Sequence, residues 1–228
     1  MIKKSSFFVN ILVFSAFQVS AFAQNYTLYF AKGAASLAPE MLLKELKQPI
    51  TLQEVDLSTH MLTKDGSDYY KINQTGMVPA ISLKDGKLLT ETAVILQYFG
   101  DQDKSHSFLP AVNTEARYFV LEKLNFIATE IHKSIGGIFA TKDKEFFSNK
   151  ITKHLGQIDS ALDGKNFIAN NKLSIADFYL TSSLFEIKHL LKMDLSGFKN
   201  INKYLDNMQK RSSVKEVLES EGLGDWLK

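Results

Sequence analysis

The spacing of apolar residues along this chain changes character once and does not change back. Between residues 26 and 100 it switches repeatedly between the two-residue period of a strand and the 3.6-residue period of a helix; from 114 onward only the helical period remains. YTLYF (26–30) reads as a strand, and residues 37–47 as a helix with Leu37, Ala38, Met41, Leu42 and Leu46 on its inner side. Pro39 falls in the first turn of that helix, where its missing N–H costs little. ITLQEVDL (50–57) predicts a second strand, and the polar stretch 58–75 a short helix. VPAISL and KLLT predict two strands joined by the Asp-Gly turn at Lys84-Asp85-Gly86, and ETAVILQYFG (91–100) a helix ending at Gly100. The order β-α-β-α-β-β-α defines an α/β layer. A polar linker with Pro110 follows over 101–113, and then an all-helical region. There, TEARYFVLEKLNFIATEIHKSIGGIFA and residues 142–163 predict two long helices. In LSIADF, Ser174 with Asp177 three residues later marks a capped start, with Leu173 and Phe178 as the hydrophobic staple.

The first residues obey other rules. MIKKSSFFVNILVFSAFQVSAFAQ carries Lys3 and Lys4, an apolar run from Phe7 to Phe17 and the small-x-small end Ala21-Phe22-Ala23, the pattern of a secretory signal peptide cleaved after Ala23. A membrane anchor is the competing reading, but the run is interrupted by Asn10 and Ser15 and falls short of the ~20 apolar residues a span needs. We therefore expect residues 1–23 to be a signal peptide and the protein to be exported without a stable membrane anchor. Loss of the two lysines lowers the formal charge from +2 to neutral. A neutral chain without a basic stripe gives no electrostatic footing for nucleic acid. The chain has no cysteine, which excludes disulfides, dithiol redox chemistry and a cysteine nucleophile.

Four places could carry chemistry. The turn Gly33-Ala34-Ala35-Ser36 leads from a strand into a helix start, a place suited to an anion or a thiolate. TGMVPA (75–80) puts proline after a glycine turn; this is an edge-strand entry or a cis Val78-Pro79 bond facing a peptide-like ligand. TETAV (90–94) places Glu91 and Thr92 at a helix start. Thr90 caps the helix and Glu91 favours its dipole, or Glu91 and Thr92 grip an ammonium and a carboxylate. In LNFIATEIH, Asn125, Thr129 and His132 are spaced to share one helix face, which meets either solvent or a cleft.

Taken together, GAASLA, VDL, DYY, TGMVPA, LLTE, LNFIATEIHK and SIADFYL resemble a glutathione S-transferase of the bacterial beta class from about residue 26 to the C-terminus. The resemblance implies a thioredoxin-like glutathione-binding domain over 24–103 and an all-helical domain over 114–228. It implies a homodimer, a periplasmic location once the signal peptide is removed, and glutathione and a small hydrophobic electrophile as substrates, with no cofactor or metal. It places the cysteinyl backbone of glutathione on Val78 beside Met77, the γ-glutamyl end on Glu91 and Thr92, and the sulfur at the turn by Ala35. Asn125 would contribute from the partner subunit, His132 near the sulfur, and His60 where the family often has lysine near the glycyl carboxylate.

Two positions depart from the family. Ala35 stands where the turn has cysteine, and Phe30 where the preceding strand has tyrosine. Transferase chemistry needs a thiolate, and a thiol of pKa ~8.5 is only about 3% ionised at pH 7. One hydrogen bond to the charged sulfur is worth ~1.5–3 kcal/mol, a shift of about 1–2 pKa units. Ser36 can donate that bond while its oxygen caps the helix, and His132 can add a second donor. The sequence thus predicts a transferase using Ser36 and His132; a catalytically weak glutathione-binding protein and an interaction module of the same fold are the alternatives.

Overall fold

The computed structural model describes residues 25–227, so the expected signal peptide lies outside the described residues. Strand β1 (Tyr26–Phe30) is central, and α1 (Leu37–Glu45) returns the chain for β2 (Ile50–Asp56) to pair parallel with it, Leu28 beside Leu52. A two-residue strand, β3 (Met61–Leu62), adds antiparallel to β2. A 3₁₀ turn at Tyr69–Lys71 stands where the sequence predicts a short helix. Strands β4 (Ala80–Ser82) and β5 (Leu88–Thr90) form the hairpin, and α2 (Thr92–Gln102) closes the layer. The sheet order is β3-β2-β1-β4-β5. Leu28 and Ile81, alternate residues of the inner strands, are fully buried under Leu37, Met41 and Leu42 of α1 and Ile95 and Phe99 of α2.

The second region is helical throughout the described residues: α3 (Glu115–Phe126), α4 (Lys133–Ala140), α5 (Lys144–Ala161), α6 (Ile175–Phe185), α7 (Lys199–Gln209) and α8 (Ser212–Ser220). No described helix is long and apolar enough to cross a membrane. Helix α6 is buried along its whole length and packs on α1, which joins both regions in one hydrophobic core. Its start is closed by the predicted Ser174–Asp177 capping box. A bidentate pair fixes the linker: Arg117 Nη1 and Nη2 donate to Asp101 at 2.7 and 3.0 Å, and Nη1 also donates to the Pro110 carbonyl. That pair is only partly exposed and shaped as a fork, so it holds α2 against α3 better than an open surface pair would.

The long run predicted over 114–140 is a continuous helical path with an unexpected middle. Ile127–His132 is π-helical, between α3 and α4, and Glu186–Leu190 extends α6 in the same form. A π-turn inserts an extra residue into the helical ladder and rotates everything beyond it, and such turns occur often at functional sites.

Candidate active site

A cleft of about 370 Å³ opens between the sheet region and the helical region. One wall is Asn73, Thr75, Met77, Val78 and Pro79; the floor is Thr90 to Ala93 at the start of α2; the far wall is Ala128, His132, Lys133 and Tyr179. Of the residues singled out in the sequence, Met77, Val78, Glu91, Thr92 and His132 meet here.

The first wall is built by local hydrogen bonds. The Met77 carbonyl accepts from Tyr69 Oη at 3.0 Å and from Asn73 Nδ2 at 2.8 Å, while Thr75 Oγ1 donates to Asn73 Oδ1 at 2.9 Å. Burial pushes the Tyr69 hydroxyl up to about 12, so it stays a donor. Gly76 has φ +68°, and a Cβ there would come within 2.7 Å of both the His60 and Tyr70 rings. Glycine is required at this position on both counts. The Val78-Pro79 bond is cis. His60 does not line the cleft. Its ring packs on Tyr70 at 4.6 Å and its Nδ1 lies 3.2 Å from the Gly76 carbonyl, so it supports the turn from outside.

The floor departs from the capping expectation. Thr90 belongs to β5, and the residue before α2 is Glu91, which makes no side-chain cap. Glu91 has φ +69° and ψ 115° and an exposed side chain. A non-glycine residue at such a φ carries ~1–3 kcal/mol of backbone strain, and strained positions concentrate at ligand sites. Thr92 is buried and hydrogen-bonds Tyr179, whose hydroxyl is pushed far up by burial in the far wall.

At the turn, Ala35 and Ser36 are buried, and neither lines the cleft. Ser36 makes no cap to α1. Its Oγ donates to the Ala31 carbonyl at 3.1 Å and accepts from the Ala31 N–H at 3.3 Å. The expectation that Ser36 caps α1 is therefore corrected, and its proton is given to Ala31 rather than offered to a ligand sulfur. Five residues apart, the two ends of the turn are tied by this one side chain. The turn is also held from the C-terminus: Gly33 N–H donates to Glu221 at 2.8 Å, and Trp226 covers Gly33 so closely that a Cβ would stand 2.5 Å from its ring. Glu221 is buried against Glu40, and burial raises both carboxyls so that they share a proton.

The far wall corrects the shared-face expectation. Asn125 is exposed on α3, with its carbonyl accepting from Thr129 Oγ1 at 3.1 Å, and within this chain neither side chain lines the cleft. Of the three, only His132, at the end of the π-segment that also contains Thr129, lines the cleft. The His132 ring lies 5.6 Å from the Tyr179 ring, and burial lowers its pKa to about 4, so the imidazole is neutral at pH 7. Tyr179, Lys133 and Asn73 were not foreseen as site residues. Tyr179 sits in the SIADFYL stretch, where it reads as one more core residue of a buried helix.

The architecture, a five-stranded thioredoxin-like layer followed by a helical domain with a cleft between them, defines the class. The family of glutathione S-transferase N-terminal domains matches residues 35–102, and that of the C-terminal domains matches 129–221. The chain is 36% identical over 200 residues to glutathione S-transferase GstA of Escherichia coli O157:H7, covering 86% of this chain and 98% of the relative. Among solved structures it is similar to a glutathione transferase of Methylococcus capsulatus (TM-score 0.81, 36% identity, 87% of this chain and 99% of that one). It is also similar to a sphingomonad glutathione S-transferase complexed with glutathione (TM-score 0.80, 32% identity, 86% and 99%). The chain belongs to the glutathione S-transferase family.

Proposed function

We propose that the protein binds glutathione in this cleft and joins its sulfur to small hydrophobic electrophiles. The observation that carries the reading is the meeting of Val78, Glu91, Thr92 and His132 around one space of about 370 Å³. Glutathione would lay its cysteinyl backbone along Val78 beside Met77. Its γ-glutamyl ammonium would meet the Glu91 carboxylate, with its carboxylate on the N–H and hydroxyl of Thr92 at the positive end of α2. Its sulfur would point toward the start of α1 and His132. With the Ser36 proton on Ala31, the helix terminus and His132 are the groups left to favour the thiolate. A neutral imidazole donates one N–H, worth ~1.5–3 kcal/mol to a charged acceptor, which brings a thiol of pKa ~8.5 near half-ionised at pH 7. Family membership and the gathering of Met77, Val78, Glu91 and Thr92 with His132 in one cleft favour a transferase over a binding protein without turnover.

Titration calorimetry with glutathione, followed by turnover of a chloronitrobenzene, tests both halves. Saturable binding with thioether formation is the expected result; no heat at millimolar glutathione overturns the reading. We further propose export with cleavage after Ala23, supported by the Lys-Lys, apolar and Ala-x-Ala pattern, and a homodimer in which Asn125 reaches the partner's cleft. Mass spectrometry of the protein from its host, finding Gln24 as the first residue, and a dimer mass in solution are the expected outcomes.

A further inference from the structure

Glu186 is the first residue of the second π-segment, and His132 the last residue of the first. The two side chains face each other, with His132 Nε2 3.8 Å from a Glu186 carboxylate oxygen. Glu186 is 5% exposed and its other oxygen, Oε1, has no hydrogen-bond partner. Among the described residues no lysine or arginine pairs with it. The end of one π-segment and the start of the other thus meet at this contact.

We propose that Glu186 is the positioning residue of His132: its carboxyl group donates to Nε2 and thereby fixes the imidazole N–H on Nδ1. An isolated carboxylate in this interior would be very costly, and no cation is present to offset it, so the group keeps its proton. Burial accordingly raises Glu186 to about 8 and lowers His132 to about 4. Between those limits the pair is a carboxylic acid beside a neutral imidazole, one donor facing one acceptor. The nitrogen that accepts from a neighbour determines which nitrogen carries the proton. At 3.8 Å the two groups stand just beyond hydrogen-bond length, and a small side-chain rotation of either brings them to it without a ligand.

The other ionisable groups around the pair do not compete for this contact. Tyr179 on α6 is neutral and hydrogen-bonds Thr92; Glu91 lies across the cleft at the start of α2; Lys133 follows His132 at the cleft rim. On the segment of Glu186 itself, His189 stacks on Trp226 at 4.7 Å, and its pKa is lowered by burial and by neighbouring Lys188. Glu186 acts through His132 and does not line the cleft. Its effect rests on the proposed glutathione reading only where turnover is concerned.

The test therefore begins without ligand. Nitrogen-15 NMR of the histidine rings in the parent, Glu186→Gln and Glu186→Leu proteins reads the His132 tautomer between pH 5 and 7.5. The parent is expected to carry the proton on Nδ1. Glu186→Gln should keep it there, because its amide N–H also donates, whereas Glu186→Leu should shift it toward Nε2. An Nε2-protonated parent overturns the proposal, as does a Glu186→Leu protein with the parent's tautomer. If the leucine variant does not fold, the parent and glutamine spectra still decide. Turnover adds the second readout: Glu186→Leu should lose roughly tenfold in kcat with the KM for glutathione unchanged, less than the ~10²-fold expected for removing an acid–base group itself, and Glu186→Gln should recover most of it. Equal losses in both variants overturn the tautomer mechanism. An enzyme inert toward glutathione would sink the functional reading while the NMR result stands.

Discussion

Helices α6 and α2 begin in opposite ways. At the start of α6, Asp177 is fully buried and accepts from the Ile168 N–H at 2.9 Å, the Ser174 N–H at 2.9 Å and Ser174 Oγ at 2.8 Å. Every local donor has its acceptor. At the start of α2, Glu91 bends the chain at φ +69°, makes no cap, and leaves its carboxylate exposed in a cleft. The first start is complete within the chain. The second is strained and incomplete, and a ligand with an ammonium and a carboxylate would complete it. The contrast separates a group that folds the protein from one that waits for a partner, although both are acids at a helix N-terminus.

The largest expected effect lies on the complete side. Asp177→Ala leaves three buried donors without acceptors, each worth ~1–3 kcal/mol, so unfolding in urea should show a loss of about 3–5 kcal/mol. Glutathione affinity of the folded protein should not change. A loss below ~1 kcal/mol would mean that water replaces the carboxylate, and α6 would then no longer differ from α2 in this respect.

The mirror experiment is Glu91→Ala. Here stability should stay within about 0.5 kcal/mol, while glutathione affinity falls by ~1.5–3 kcal/mol, roughly ten- to a hundredfold in Kd. Calorimetry showing an unchanged Kd would return Glu91 to the helix dipole alone.

How much of this contrast the sequence discloses differs between the two starts. The Ser174–Asp177 box is legible because both partners are close along the chain and the spacing is the mechanism. The strands and α1 are legible for the same reason of period, and β3 is not, because two residues in a polar stretch carry no period. TETAV reads as an ordinary cap, since a positive φ at a glutamate leaves no mark in composition. Ser36 illustrates the reverse: a serine before a helix reads as a cap, yet its hydroxyl turns onto Ala31 five residues upstream. The π-segments are hidden as well, because whether a helical N–H meets the fourth or fifth carbonyl is decided by packing. The burial of Glu186 against His132 therefore emerges only from the fold.

The far end of α6 sharpens the comparison through pH. Glu186 is raised to about 8 in the folded protein, against ~4.3 in the unfolded chain. The native state thus holds a proton that the unfolded state has released. Stability from this group is complete below about pH 4 and is lost as pH rises toward 8. Above pH 6.5, the range in which lowered His132 opposes the trend is past. Between pH 6.5 and 8, Glu186 should cost about 2 kcal/mol, at ~1.4 kcal/mol per pH unit. The raised Glu40–Glu221 pair acts in the same direction. Urea midpoints at the two pH values should fall accordingly, and Glu186→Gln should flatten part of the slope. A slope unchanged by that substitution would mean that the carboxyl is already ionised in the native state.

The smallest expected effect isolates the strain at Glu91 from its charge. Glycine adopts φ near +69° freely, so Glu91→Gly removes a cost of ~1–3 kcal/mol from the native state. The same substitution loosens the unfolded chain, which offsets ~0.5–1 kcal/mol of the gain. The net expectation is a protein about 0.5–1 kcal/mol more stable than the parent by urea denaturation, with glutathione affinity lowered as in Glu91→Ala. Alanine cannot give that gain, because its Cβ meets the same backbone restriction as glutamate. A stabilised glycine variant that binds poorly would show that the helix start trades stability for the ligand contact. If Glu91→Gly destabilises the protein instead, the Glu91 side chain supports the fold, and the distinction between the two helix starts fails at the residue on which it was drawn.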